Sequence, residues 1–167
     1  VARGTMATDI LSALKERLDE DLDGLTLTPE GLQAVTDARF GELVIQVEHD
    51  DEAESVRVSV GVPPPAGAGL ELLLWCLHVN TQYWDVKFGL DDDGRLLVHA
   101  DLDADEDSDI ARLASDVLDR AETVVDIIDD DLTEWLLARG LGTPAQQERW
   151  RSRPPKVTGS EDDGDED

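Results

Sequence analysis

Residues 70–79 read LELLLWCLHV, and this stretch restricts the possible folds more than any other. At about 3.6 residues per turn, Leu70, Leu73, Leu74 and Leu77 form one apolar stripe, and Leu72, Trp75, Cys76 and Val79 cover most of the remaining circumference. A helix that is apolar all round must be covered on two sides, and at roughly ten residues it is too short to span a bilayer. In a small domain one cover is the chain's own sheet. The other is expected from a second copy of the chain, with Leu72, Trp75 and Val79 as the dimer contacts and Trp75 as their anchor, because centrally buried aromatic side chains dominate interface energies.

On both sides of this helix the apolar period is two. Leu43, Ile45 and Val47 alternate with Val44, Gln46 and Glu48; after the polar run DDEAE, Val56, Val58, Val60 and Val62 alternate with Arg57, Ser59 and Gly61. That is a hairpin with one buried face, and the prolines after Val62 end it. A second hairpin is expected from Trp84, Val86 and Phe88 to Leu96, Val98 and Ala100. Its DDDG turn supplies the positive φ of a tight reversal at Gly94.

The period lengthens to that of a helix over 8–22, where Ile10, Leu11, Leu14, Leu18 and Leu22 recur at three and four, and Gly24 suits the left-handed position after a helix end. It lengthens again from Ile110 to Leu136, with Asp129, Asp130 and Asp131 as the point where one helix is expected to become two. Residues 25–40 are open to two readings, a helical turn from Thr28-Pro29-Glu30 or an edge strand LQAVTD. Thr143, Pro144 and Gln146 match a capped helix start. The expected organisation is an α+β domain over 8–140, a short helix over 141–151, and a disordered acidic tail over 152–167, whose apolar content is too small to offset ordering entropy.

Acidic residues outnumber basic ones by 40 to 14, a net charge of -26. Such a potential repels phosphate backbones and anionic lipid, so neither nucleic acid nor membrane is an expected partner, whereas basic partners are permitted. A lone cysteine, Cys76, makes no internal disulfide, and the opening VARGTMATDI lacks an apolar signal region. Both features fit a cytoplasmic chain.

Candidate chemistry is sparse. Asp101, Asp103, Asp105, Asp107 and Asp109 offer hard oxygen ligands, but a calcium loop starting at Asp101 would need Gly and Glu where Glu106 and Arg112 stand. An acidic loop leading a helix N-terminus explains the run more simply. His49, His78 and His99 have no zinc spacing, and Cys76 and His78, two apart on a helix, point in different directions. The glycines before the central helix lack a Walker lysine and the dinucleotide spacing. Among the tryptophans, Trp84 and Trp135 fall on core stripes. Trp150 lies among Arg149, Arg151 and Arg153, a basic island that reads as a frayed tail helix or as a dock for acidic surface.

The order helix, (strand), strand, strand, helix, strand, strand, helix, with Asn80 closing the leucine-rich helix and FGLDDDGRLLVHADL following at 88–102, resembles the type III secretion chaperone-like superfamily and, within it, the bacterial sensory transduction regulator family. The resemblance implies an α+β fold with an antiparallel sheet and the order α-β-β-β-α-β-β-α, a homodimer through the central helix, and no cofactor, metal or catalytic residue. It also implies a polypeptide client or regulatory protein held by apolar contacts and strand addition on the first helix and the sheet. Leu11, Leu14, Leu18, Val44 and Arg57 are the expected client contacts, although the three leucines equally suit packing on the chain's own sheet. The alternative is an acidic divalent-cation-binding or hydrolytic protein using Asp91, Asp92 and Asp93 together with the 101–109 run.

Overall fold

The computed structural model describes residues 3–152 apart from 64, 66 and 106, with side chains from Ile10 onward. Helix α1 (Arg3–Leu18) precedes four strands, β1 (Thr26–Thr28), β2 (Gly31–Asp37), β3 (Glu42–Asp50) and β4 (Ser55–Val62). Then come α2 (Gly69–Val79), β5 (Lys87–Leu90), β6 (Leu96–Asp103), α3 (Ile110–Ile127), a π-helical turn (Ile128–Leu132), α4 (Thr133–Ala138) and α5 (Pro144–Ser152). All six strands join one antiparallel sheet in the order β1-β2-β3-β4-β6-β5. The fold is therefore α+β, as expected. The strand beyond the expected order is β1, and it makes LQAVTD an interior strand: Pro29 and Glu30 form the tight turn between β1 and β2, with no helix there.

Alternation decides the layering. The inward residues, among them Leu32, Ile45, Val47, Val58, Val60, Leu96 and Val98, are buried, and α1 and α3 pack over them. Leu14 and Leu18 of α1 and Val117 and Val124 of α3 fill the space between the layers. Helix α2 packs against β5, where Trp75 meets Phe88 edge to face at 5.2 Å. Beside it His78 stacks on Trp135 of α4, and Arg139 lies 3.3 Å over the same indole while pairing with Glu71 at 3.2 Å.

Local signals hold at the ends of elements. Gly24, Gly94 and Gly140 adopt positive φ. Thr143 and Gln146 form a reciprocal capping box, Gln146 N donating to Thr143 Oγ1 at 3.2 Å and Thr143 N to Gln146 Oε1 at 2.9 Å.

The long C-terminal helix does not break at its three aspartates but widens there into the π turn. Asp129 reaches out of that turn to accept from the backbone N–H groups of Arg39 and Phe40, at 3.0 and 2.9 Å, between β2 and β3. A carboxylate spent on two amide donors fixes the helix against the sheet end. Arg39, itself buried, donates to the Trp150 carbonyl at 2.7 Å and to Glu134 at 3.0 Å. Trp150 is 0% exposed, stacks on Phe40 at 5.5 Å and donates to the Phe40 carbonyl at 2.9 Å. Arg149 pairs with Asp37. The frayed reading of this helix thus fails, because Trp150 has a prepared seat and the helix docks on the chain's own acidic surface. The expected disordered tail lies, beyond Ser152, outside the described residues.

Candidate protein-binding surfaces

The strongest correction concerns α2. Leu72, Trp75, Cys76 and Val79 are buried within the single chain, at 0–2% exposure, while Leu70 and Leu77 stand 69% and 61% exposed, and Leu73 and Leu74 beside them are exposed as well. The physical reason is that β5 and α4 already cover the side bearing Trp75. The face left for a second layer is the stripe Leu70, Leu73, Leu74, Leu77, spaced i, i+3, i+4, i+7 as one helix face requires.

A second correction concerns Trp84. The alternation Trp84, Val86, Phe88 suggests a core strand, but β5 begins only at Lys87, and Trp84 sits in the preceding loop 96% exposed. Neighbouring Asp85 is held by Arg120.

Among the described residues, no helix lies on the outer face of the sheet. Of the expected client contacts, Leu11, Leu14 and Leu18 lie in the core under α1, which removes them from the surface. Val44 and Arg57 do lie on the outer face. The register places Val35, Val44, Gly61, Leu97 and Gly89 in one row across five strands. Gln33, Gln46, Ser59, His99 and Lys87 form the next row. Neither row holds a carboxylate, in a chain with 40 acidic residues. Carboxylates return at the margins, with Asp37 and Glu42 on one side and Glu48 and Asp101 on the other, where Asp101 pairs with Arg57 at 2.7 Å. That hydrogen bond holds the Asp101 carboxyl below, and the Arg57 guanidinium above, their ordinary ranges. Val35 and Leu97 were missed in the sequence because residues 25–40 were open to a helical reading and because the row joins Leu97 to Gly61, 36 residues earlier.

At the β5 end of the rows, Trp84, Lys87, Gly89, Leu97 and His99 line an open groove of about 540 Å³. Burial is the main cause holding the His99 imidazole below its ordinary value, with Arg57 and Lys87 adding to it and Asp101 opposing. Strand addition meets an obstacle here. The Asn80 side chain donates to the Phe88 carbonyl at 2.8 Å and accepts from the Phe88 N–H at 2.9 Å, occupying both backbone groups that Phe88 presents to the free edge of β5.

The acidic clusters have local structural work. Asp91 accepts from Asp93 N and Arg95 N in the hairpin turn, both at 2.9 Å. Asp105 accepts from Asp107 N and Ser108 Oγ, and Asp109 caps α3 through Ala111 N. Among the described residues, no cluster of three His, Cys, Asp or Glu side chains is arranged to hold a metal, and no helix is long and apolar enough to cross a membrane. Burial pushes the Cys76 thiol up to about 11, far from a nucleophile's range.

The architecture is shared with a solved structure. YbjN from E. coli, described as a putative transcription regulator, is 20% identical with a TM-score of 0.59, over 80% of this chain and 96% of that one. The ExsC–ExsE complex matches at 17% identity and a TM-score of 0.48, over 74% of this chain and 92% of that one. The Yersinia pestis type III secretion chaperone SycH, solved with a YscM2 fragment, matches at 20% and 0.41, over 68% and 98%. No curated protein matches the chain. The family model YbjN, "Putative bacterial sensory transduction regulator", matches residues 19–138. The chain belongs to that family.

Proposed function

We propose that the protein is a non-enzymatic binding module that holds an extended polypeptide partner, a client or a regulatory protein, against the outer face of its sheet, and that it does so as a homodimer joined through α2. The observation that carries the reading is the pair of carboxylate-free rows on a sheet face that no helix of the described residues covers. Apolar surface left open in this way marks interaction sites. Structural relatives solved with protein partners support it as an analogy of fold only.

The dimer rests on the α2 stripe. Burying one leucine side chain is worth about 1.5–3 kcal/mol, so four exposed on one helix face are a substantial unspent driving force.

The test places a photo-crosslinking residue at Val44 or Leu97 in cells of the native host, and at Glu122 on α3 as a control. Adducts from the sheet face with one recurrent polypeptide, absent at Glu122, support the reading. Equal labelling at all three positions, or none, refutes it. Light scattering tests the dimer: twice the 18.3 kDa chain is expected, falling to the single mass in Leu73→Glu/Leu77→Glu.

A further inference from the structure

Two glycines lie in the row that crosses the outer face. Gly61 on β4 and Gly89 on β5 flank Leu97 in register, Gly61 opposite Leu97 and Leu97 opposite Gly89. Neither adopts positive φ, and a Cβ built on either meets nothing within 4 Å. The fold therefore does not require glycine at either place. By contrast, Gly31 has positive φ, and its Cβ would fall 2.3 Å from the Val47 carbonyl oxygen. A glycine inside a strand weakens it and marks a place where another backbone comes close. Here the two positions share a face, a row and an uncovered side.

The row has a definite length and an asymmetric end. Five strands span four spacings of about 4.8 Å, about 19 Å in all, which roughly six residues of extended chain would cross. At the β1 side it runs out over Val35. At the β5 side Gly89 and Leu97 floor the groove that Trp84 walls, with the exposed ammonium of Lys87 beside it.

We propose that this row seats an extended segment of a partner polypeptide, uncharged where it crosses Gly61 and Leu97 and carrying a carboxylate where it enters the groove beside Lys87, with the two glycines allowing its backbone to lie close on the sheet. The proposal rests on the sheet-face reading above and sharpens it. Net charge alone selects a basic partner, whereas this row presents no carboxylate to a cation, and Lys87 at the end of the next row presents an ammonium to an anion. The absent Cβ atoms keep a path open that a side chain at either position would obstruct.

The experiment uses the full chain at physiological ionic strength, where screening within about 8 Å removes the long-range field. The probes are synthetic peptides of alternating Thr and Val, ending in two Glu or in two Lys, followed by backbone amide chemical shifts. The Glu peptide is expected to shift the amides of Gly61, Leu97 and Lys87 and to bind more tightly than the Lys peptide. Gly61→Thr is expected to weaken it on the order of tenfold, the equivalent of about 1.4 kcal/mol, while its Tm equals or exceeds the parent's. Gly61→Ala serves the same purpose with a smaller side chain. Outer-face shifts that survive both substitutions unchanged, or a Lys peptide that binds as tightly, overturn the inference and leave the sheet-face reading standing. If neither peptide shifts any outer-face amide, both fall.

Discussion

Single side chains set two measurable properties. Cys76, buried between Trp75 and Leu77 in sequence and facing the core, has its thiol pushed up to about 11 by burial. It is expected to resist iodoacetamide in the native protein and to react fully in denaturant; native labelling within minutes, read by mass spectrometry, would show that α2 opens. His99 acts through linkage. Its folded pKa lies below the unfolded value of about 6.5, so the unfolded chain binds more protons in that window. Stability is therefore present above about pH 6.5 and lost as pH falls through the folded value. Asp101, also lowered, slopes the same way at more acid pH, while Asp130, raised by burial and then by Asp126 and Asp129, slopes oppositely. His99→Gln is expected to flatten the urea midpoint between pH 7 and pH 5, about the imidazole range. An unchanged slope would count against the assignment. The all-apolar helix around Cys76 already implied a buried thiol, whereas the setting of His99 was not readable, because it depends on Arg57 and Lys87 of neighbouring strands.

Elements show where local pattern suffices. The β3–β4 hairpin, the Gly94 turn and the Thr143–Gln146 box are each decided within a few residues, and the sequence places them correctly. Helix α2 could not be oriented in the same way: apolar on every side, its periodicity names no inner face, and only β5 and α4 select the side with Trp75. Trp84 misled because alternation ran on past the start of the strand. Trp150 left two readings open, docked or frayed, since its partner Phe40 is 110 residues away and the rest of α5 is polar. The π turn is similar, joining two segments by a contact that closes across 90 residues. Removing it has a calculable cost. Asp129→Ala leaves two backbone donors without their carboxylate and is expected to destabilise the fold by about 2–4 kcal/mol, measured by urea unfolding. A loss below about 0.5 kcal/mol, the usual range of a surface substitution, would show that the clasp is ornamental.

Across the whole molecule, charge and apolar surface oppose each other. Each copy carries -26, so the proposed pair would carry twice that, and association through Leu70, Leu73, Leu74 and Leu77 would work against a long-range repulsion. Screening extends about 30 Å at 0.01 M salt and about 8 Å at 0.15 M. Dimer formation is accordingly expected to strengthen as salt rises, by sedimentation equilibrium; weakening with salt would mean that ion pairs, not leucines, join the copies. The same molecule exposes an apolar row and an apolar stripe without becoming sticky in every direction, and Asn80 is part of the reason. A strand with open backbone can be copied by the next chain and the next, without end. By answering both groups of Phe88 with one amide side chain, Asn80 blunts the last strand: on an edge only four residues long, the ladder with which a fibre would begin is already interrupted.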